Sequence, residues 1–552
     1  MKPAVPQALR QPFKVHPASM LPASTTSRPA SIPSDSAVAI ETLRVAIANA
    51  MASTCEAPPT TTGHAFVQAL WAWADVRVPS LKQNGEALNG KTRRSLRLVA
   101  GLDLLAVIED AARDLPETWQ LKPLESATQP EGVTCHSVSY TARECRCLVA
   151  NALLGNLRDT AAALKPEYKQ GKGFNLETSM YIDPTGVGRR ESVWDDVVIC
   201  REKIASLLEY MFVMSSVVPD ADLERLVTFE LLERPLDAFK SRLELGQLAQ
   251  ASSAPFRAAE TIVLHQSRME NPMVAENADM AIPGLAAQRS YDSPLQGEGP
   301  AAKRKSAAAQ RWGFTNFANM VYGYGEMIPS CTQEEVMQVC CPEFNVGLLH
   351  FGTMADDQVV VVRNVRRTSD YEGYMSTFQF KPLAPDPLAP SAHDGAPPRV
   401  GDIITIDAVR SMHYGTEQQL RDLNKVELAF GGARRGGEQR AGDRYHVSSG
   451  RWGCGIFGGY VPHKVVQQAL GAHMSNTKVY ISRYTSRFSE TEELLRNETA
   501  KALQAMEGKD APTIWAALQV AEQVGSGTYN PDFVKIFCGK LSDASHAYEN
   551  SF

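Results

Sequence analysis

The chain has 552 residues and a formal net charge of −6 at pH 7, with 44% hydrophobic and 21% charged residues. These values are typical of a globular protein with enough core for two or three domains, and they argue against a general nucleic-acid-binding protein, although a local basic groove remains possible. No apolar run approaches the roughly 20 residues of a membrane-spanning helix. We therefore expect neither nucleic acid nor a membrane as a partner.

Residues 1–36 are rich in Pro, Ser, Ala and Thr and contain no acidic residue before Asp35. This composition predicts a disordered tail. Basic, Ser-rich and acid-poor segments are also typical of transit peptides, but prolines oppose the amphipathic helix that an import signal forms. We interpret the segment as a tail.

The next region, 37–220, shows the three-to-four-residue apolar spacing of amphipathic helices. Its clearest helical segments run from Ala142 to Leu157 and from Asp195 to Met214. Their long apolar faces indicate core packing, and we assign them no chemistry. We predict a helical accessory domain here.

From residue 221 to 552, short β-branched runs alternate with helical segments. The runs that predict strands are Leu226–Phe229, Gln358–Val362, Ile403–Ile406 and Lys478–Ile481. The alternation indicates an α/β fold in which helices cover both faces of a mixed or parallel sheet, with ligands bound at the carboxyl ends of strands.

A Gly-, Ala- and Pro-rich stretch at about 267–311 interrupts this alternation and predicts a mobile surface insertion. It contains Lys303-Arg304-Lys305, a weak candidate for a nuclear signal, although such triplets are more often solvated loops. The ten cysteines include no C-x-x-C pair, so neither a zinc ribbon nor a thioredoxin-type motif is predicted. Scattered thiols without a secretory signal indicate a reducing compartment.

Two adjacent carboxylates, Glu334 and Glu335, follow a glycine-rich turn that begins at Gly323. Paired carboxyls raise each other's pKa, which is useful when one must remain an acid while the other binds hydroxyls or stays ionised. That chemistry fits cleavage of a glycosidic bond. An alternative is structural: Thr332-x-x-Glu335 also fits a capping box, in which Glu335 would only begin a helix.

Residues 453–458 contain a literal G-x-G-x-x-G, the fingerprint of a dinucleotide-binding Rossmann unit. The context opposes that interpretation, because no acidic residue for a ribose follows about 20 residues later and the motif lies far from a first βα turn. A nucleotide-binding oxidoreductase therefore remains only an alternative.

From about residue 140 onward the chain resembles the canonical, eukaryotic-type poly(ADP-ribose) glycohydrolases. Segments similar to the motifs of that family occur in the family's order: Arg143–Ala152, Val227–Glu230, Asn316–Asn319 with Gly323 and Gln333–Glu335, Tyr371–Tyr374, Ile404–Ala408, Leu423–Lys425 and Trp452–Gly459. Each segment alone is weak evidence, but the ordered set is specific.

The resemblance implies a macrodomain that binds ADP-ribose and hydrolyses poly(ADP-ribose) without a cofactor or a metal. By position, Glu335 is expected to be the general acid–base, while Glu334 and Asn319 hold hydroxyls of the distal ribose. Phe457 is expected to pack beside the diphosphate and the distal ribose, and Tyr374 to stack on adenine.

Further residues are expected by position to line the substrate, with Glu260 assigned loosely to adenine recognition: Gly323, Tyr324, Gly325, Gln333, Tyr371, Arg451, Gly453 and Gly455. The resemblance also implies poly(ADP-ribose) and ADP-ribosylated proteins as partners, a monomer, and a role in the DNA damage response. It implies a location in nucleus and cytoplasm, with mitochondria as a weaker alternative.

The chain departs from the family pattern at several positions. Tyr324 interrupts the glycine triple where backbone approaches the ribose and phosphates, Asn316 replaces an aspartate, and Arg451 replaces an asparagine. Arg451 would compensate by binding a phosphate, because guanidinium is a bidentate phosphate partner. We expect an active hydrolase, and the alternative is a non-catalytic reader of ADP-ribose.

Overall fold

The computed structural model describes the following residues of the chain: 64–77, 90–115, 119–154, 193–245, 254–267, 312–323, 331–382, 400–435, 445–484, 490–524, 530 and 532–549. The predicted tail 1–36 and nearly all of the predicted insertion 267–311 lie outside them. None of the described helices is long and apolar enough to cross a membrane.

Eleven described strands are assembled into one nine-stranded sheet and one two-stranded sheet. In chain order they are β1 Glu125–Gln129, β2 Val133–Thr141, β3 Leu226–Glu233, β4 Ile262–Ser267, β5 Trp312–Ala318, β6 Gln358–Arg366, β7 Ser369–Glu372, β8 Gln379–Pro382, β9 Val400–Asp407, β10 Tyr445–Ser449 and β11 Thr477–Tyr484. The large sheet has the order β1-β2-β3-β6-β9-β5-β10-β11-β4, and β7 pairs with β8.

The large sheet has two halves that differ in strand direction. Strands β1, β2, β3, β6 and β9 pair antiparallel. From β9 onward, β5, β10, β11 and β4 all pair parallel. Because parallel strands end at the same edge, the residues that follow β9, β5 and β10 are brought together there.

The helices are α1 His64–Arg77, α2 Gly90–Ala112, α3 Ala142–Leu153, α4 Val193–Ser216, α5 Asp220–Leu223, α6 Leu236–Glu244, α7 Ala258–Thr261, α8 Gln333–Cys340, α9 Thr416–Arg435, α10 Val461–Met474, α11 Glu490–Met506, α12 Ala511–Val520 and α13 Asp532–Glu549. Short 3₁₀ helices span Pro130–Gly132, Pro342–Leu349, Met375–Thr377 and Ala521–Val524. Helix α3 begins at a capping box in which the Thr141 side chain accepts from the N–H of Glu144, and Glu144 Oε2 accepts from the N–H of Thr141 at 2.7 Å.

Two hydrophobic clusters cover opposite faces of the sheet. One contains residues of α1 to α4 and α8 together with Val360 and Val362 of β6. The other contains residues of α9 to α13 together with Val359 and Val361 of the same strand. Neighbouring valines point to opposite faces, as the period of two in a strand requires, so the sheet is sandwiched by helices as predicted.

The region 37–220 is not purely helical, because it supplies β1 and β2 to the large sheet. In β2 buried and half-buried residues alternate over His136–Thr141, a period of two that the helical interpretation overlooked. Helices α1 to α4 also share one core cluster with the sheet. The predicted accessory domain with its boundary near 220 therefore stays a prediction.

Candidate active site

Helix α8 carries both adjacent glutamates in its first turn, and all eight of its residues are buried. Glu335 Oε2 accepts from the N–H of Thr332 at 2.6 Å and from the Thr332 hydroxyl. Glu335 therefore does take part in the capping arrangement. However, its exposed fraction is only 3%, whereas an ordinary cap is solvated. Capping thus fixes the Glu335 carboxyl in a buried position and uses only one of its oxygens.

Glu334 is held from the neighbouring loop. Its Oε2 accepts from the N–H of Asn319 at 3.0 Å, while its Oε1 is buried and has no hydrogen-bond partner in the described part of the chain. Burial, and then the charges of Glu335 and Asp407, raise the pKa of Glu334 well above its usual value, against the opposing hydrogen bond from Asn319. Oε1 is therefore a desolvated polar atom that a ligand hydroxyl would satisfy.

Gln333 was predicted to line the substrate, and its side chain is engaged within the protein. Its Nε2 donates to the Thr315 carbonyl at 2.7 Å and its Oε1 accepts from the N–H of Phe317 at 2.8 Å. Both ends of the amide are thus used to fasten α8 to strand β5. The side chain of Gln333 thus positions the glutamates, and its predicted contact with substrate stays a prediction.

The loop after β5 supplies Asn319 and Gly323. Besides its N–H bond to Glu334, Asn319 accepts through Oδ1 from the N–H of Val321 at 3.2 Å and from Arg410 Nη2 at 3.1 Å. Gly323 has φ +69°, and a Cβ there would overlap the side chain of Leu348. Only glycine fits this turn.

The loop after β10 supplies the second wall. Gly453 has φ +71°, and a Cβ would approach that of Ala408 to 2.7 Å, so the loop packs closely against the end of β9. Gly455 is exposed, and a Cβ added there would meet no atom within 4 Å. Phe457 is half-buried, and its carbonyl oxygen lies 2.8 Å from His413 Nε2, which donates to it.

Arg451 lies two residues beyond the end of β10, on the same edge of the sheet as Asn319 and Phe457, and is half-buried. Its carbonyl accepts from the N–H of Cys454 at 2.9 Å, which closes the turn that carries Gly453. The predicted contact of Arg451 with a phosphate stays a prediction.

The two predicted tyrosines differ in their accessibility. Tyr374 is half-buried, and its hydroxyl accepts from the N–H of Gln333 at 3.2 Å, which places it beside the start of α8. Tyr371 is only 3% exposed, and its ring stacks on Phe378 with centroids 5.8 Å apart. The ring of Tyr371 is thus part of the core, and its predicted contact with substrate stays a prediction.

Glu260 was predicted to recognise adenine, and the structure separates it from the site. It lies in α7, immediately before β4, and is exposed. Strand β4 runs parallel to β11, with Ile262 beside Val479 near the start of both strands. Residues before a parallel strand lie at its amino end, so Glu260 lies at the edge opposite to the glutamate pair.

Tyr324 and Gly325 lie outside the described residues, so their predicted contacts with substrate stay predictions. Asn316, in the position of the family's aspartate, is fully buried, and neither atom of its amide group has a hydrogen-bond partner in the described ranges. Within those ranges, no group of three or more His, Cys, Asp or Glu side chains is arranged to hold a metal ion.

The sequence did not single out three residues that surround this site: Asp407, Arg410 and His413. Asp407 ends β9 and accepts from Lys425 Nζ at 2.6 Å and from Arg421. Although burial raises the pKa of Asp407, these two cations hold it below its usual value. Asp407 stood within a recognised motif; nothing in the sequence marked the other two.

A protein-family model described as poly(ADP-ribose) glycohydrolase, macro domain fold, matches residues 306–492. The match contains the glutamate pair and the loops of Asn319 and Phe457. It confirms the family resemblance and the macrodomain-like α/β fold.

Three curated relatives align with parts of the chain. Poly(ADP-ribose) glycohydrolase 2 of Caenorhabditis elegans is 28% identical over 176 residues, 29% of this chain and 35% of the relative. Poly(ADP-ribose) glycohydrolase 1 of Arabidopsis thaliana is 31% identical over 118 residues, 21% of each chain. Poly(ADP-ribose) glycohydrolase 1 of C. elegans is 26% identical over 203 residues, 35% of this chain and 25% of the relative. The aligned part is about a third or less of each relative.

Among solved structures, poly(ADP-ribose) glycohydrolase from Thermomonospora curvata, bound to the inhibitor ADP-HPD, aligns at 14% identity. The alignment covers 54% of this chain and 98% of that chain, with a TM-score of 0.28. A score this low gives the superposition no weight.

Proposed function

We propose that this chain, whose residues 306–492 belong to the poly(ADP-ribose) glycohydrolase macrodomain family, hydrolyses the ribose–ribose O-glycosidic bonds of poly(ADP-ribose) and releases ADP-ribose. The observation that carries the proposal is the buried pair Glu334 and Glu335 at the start of α8, in which Glu334 Oε1 is a buried acceptor without a partner in the described part of the chain. Two desolvated carboxyls in one helical turn are costly, and catalysis is the use that requires them.

In the proposed mechanism, Glu335 is the general acid. Burial and then the charge of Glu335 raise the pKa of Glu334. Glu335 delivers a proton to the departing ribose oxygen as the glycosidic bond breaks. It then accepts a proton from the water that attacks the oxocarbenium-like carbon.

The other residues hold the substrate in place for this step. Glu334 Oε1 accepts a hydroxyl of the distal ribose, and the Asn319 side-chain amide lies next to it. Gly323 and Gly453 allow backbone to approach the ligand, since each has a positive φ and no room for a Cβ. Phe457 packs beside the ribose and diphosphate, and the half-buried ring of Tyr374 receives adenine.

The proposed partners are poly(ADP-ribose) and proteins that carry it, and the proposed location is nucleus and cytoplasm, where a fluorescent fusion of the full chain would be seen. The role in the DNA damage response belongs to this proposal and rests on the substrate.

The test is incubation of the full chain with automodified, poly(ADP-ribosyl)ated protein, with free ADP-ribose measured by chromatography. ADP-ribose binding is measured in parallel by calorimetry. We expect release of ADP-ribose and saturable binding.

Binding without release would replace the hydrolase with a reader of ADP-ribose, the alternative that Asn316 and Tyr324 raised in the sequence. If the chain showed no binding of ADP-ribose and no release of it, the proposal would be overturned altogether. The Glu335→Gln variant serves as the inactive control, since it removes the acid while keeping the shape of the side chain.

A further inference from the structure

Arg410 lies three residues beyond the end of β9, is exposed, and is anchored to both loops of the candidate site. Its Nη2 donates to Asn319 Oδ1 at 3.1 Å. Its guanidinium carbon lies 5.4 Å from the centre of the Phe457 ring, which is the distance of a cation–π contact. An exposed arginine side chain is ordinarily free to move. The contacts with Asn319 and Phe457 give the Arg410 side chain a fixed position at the solvent-exposed side of the candidate site.

The charge of Arg410 is not neutralised within the described ranges, where no carboxylate forms an ion pair with it. The next arginine along the chain, Arg421, is by contrast bound to Asp356, Asp407 and Asp422. A guanidinium has five N–H donors, and Asn319 accepts from one of them. Arg410 is thus an oriented cation with unused donors, the arrangement that binds phosphate groups.

The loop beneath Arg410 adds backbone donors. The N–H groups of Cys454, Gly458 and Gly459 bond to carbonyls of the same loop. Those of Gly455 and Ile456, both exposed, donate to no acceptor among the residues that the structure describes. Free backbone N–H groups beside a cation form an anion-binding concavity.

We propose that Arg410 is a specificity-determining residue that contacts a phosphate of the substrate diphosphate above the Phe457 loop. The inference rests on the proposed function, because it names the part of poly(ADP-ribose) that this residue recognises. The diphosphate is either that of the ADP-ribose unit held by the glutamate pair or that of the next unit in the polymer. Both have the same chemistry.

The competing role is positional. Arg410 holds Asn319, and Asn319 holds Glu334 through its N–H group. A residue that acted only through this connection would change kcat when it is removed, because Glu334 would shift. A residue that contacts the phosphate would instead change the Kd for ADP-ribose or the KM for polymer, and its contribution would weaken as salt screens the charge.

The experiment compares the full chain with Arg410→Ala, Arg410→Lys and the control Arg257→Ala. Arg257 is also an exposed arginine, but it lies at the opposite edge of the sheet and pairs with Glu507. The Kd for ADP-ribose is measured by calorimetry at two salt concentrations. The kcat and KM are measured on polymer, and a thermal melt confirms that each variant is folded.

We expect Arg410→Ala to weaken binding of ADP-ribose by roughly 10- to 100-fold, the scale of a hydrogen bond to a charged group, with kcat little changed. Arg410→Lys should retain part of the affinity, and Arg257→Ala should match the parent. An unchanged Kd with a raised KM for polymer would assign Arg410 to the diphosphate of the next unit, which also supports the inference.

A lowered kcat with Kd and KM unchanged would overturn it and leave Arg410 as a positioning residue. Parental values of all three constants in Arg410→Ala, in a chain that still releases ADP-ribose, would overturn this inference alone. A parent chain that neither binds nor releases ADP-ribose would overturn the proposed function and this inference together.

Discussion

The large sheet holds its buried carboxylates in two different ways. In the antiparallel half, Glu230 on β3 binds Arg363 on β6 through two hydrogen bonds of 2.6 and 2.9 Å. Next to β6, whose Arg366 N–H donates to it, Glu343 accepts from Arg225 at 2.6 Å. At the edge of the parallel half, no Lys or Arg among the described residues forms an ion pair with Glu334 or Glu335. At that edge Asp407 is paired with Lys425 and Arg421, whereas the glutamate pair has no ion pair among the residues that the structure describes.

This difference separates structural from functional charge. A buried carboxylate that is paired with arginine loses little by being buried, whereas an unpaired one pays the cost of desolvation. Helix α8 reduces that cost with the N–H groups of Asn319 and Thr332 and with its amino-terminal dipole, without supplying a counter-charge. Buried carboxyls without a counter-charge are what a site for acid–base chemistry has to retain.

The largest expected effect comes from Glu335→Gln. The amide is isosteric but supplies no proton, so we expect a loss of about 100- to 10,000-fold in polymer hydrolysis, the usual contribution of general acid–base catalysis, with ADP-ribose affinity within a few-fold. Release of ADP-ribose is the measurement, and Glu493→Gln, at an exposed position of helix α11, is the control. Near-normal turnover with a lowered melting temperature would show that Glu335 is only a helix cap. The glutamate pair would then have no catalytic role to set against the arginine-paired carboxylates.

In the antiparallel half, Arg363→Met should act on stability alone. It leaves Glu230 buried and uncompensated, so we expect a loss of about 3–5 kcal/mol in the free energy of unfolding, measured by denaturant titration. Activity per folded molecule should be unchanged. If the variant instead lost activity while remaining stable, the two halves could not be separated in this way.

Gly323→Ala tests how tightly the site loop is built. A positive φ and the overlap with Leu348 act together at Gly323, whereas Gly508 has φ +76° with nothing within 4 Å. Backbone strain alone costs roughly 1–3 kcal/mol. We therefore expect Gly323→Ala to destabilise more than Gly508→Ala and to weaken ADP-ribose binding, while Gly508→Ala leaves binding intact. Equal effects in the two variants would show that Leu348 moves aside at no cost.

Tyr374 allows ring and hydroxyl to be tested separately. Tyr374→Ala should weaken ADP-ribose binding by roughly 1–3 kcal/mol, the range for loss of a base-stacking aromatic. Tyr374→Phe keeps the ring and removes the contact with the N–H of Gln333, so it should cost about 0.5–1.5 kcal/mol of stability and leave binding nearly unchanged. An unchanged Kd in Tyr374→Ala would place adenine elsewhere.

The pH dependence of stability tests whether the buried Glu334 lacks a counter-charge, and this effect is the smallest that we expect. Burial raises the folded-state pKa of Glu334 above its unfolded value, so folding favours the protonated carboxyl and stability is lost as pH rises through that range. Glu334→Gln removes the titration. We expect the variant to gain stability over the parent from about pH 4.3, the usual unfolded value, upward, and to match it below. Melting curves from pH 4 to 8 would show the opposite trend if a hidden cation neutralised Glu334.

Features that depend on residues close together in the chain follow from the amino-acid sequence alone. The adjacent glutamates and the capping threonine lie within four positions, so their pairing in one helical turn follows from the period of an α-helix. The β-branched runs at β3, β6, β9 and β11 are predicted in the same way, and so is the helix that follows the capping box at Thr141. The ordered motifs carried the family resemblance, and a model of that family matches residues 306–492.

Tertiary structure decided which residues meet across the sheet. The sequence does not state the strand order, so it could not show that Glu260, placed before a parallel strand, lies at the edge opposite to the glutamate pair. Tyr371 and Gln333 have side chains suited to a ligand, yet neighbouring groups that come from elsewhere in the fold already occupy them. Arg410 is one ordinary arginine in the sequence. Its position between Asn319 and Phe457 exists only because parallel strands end at a common edge and bring three separate loops together.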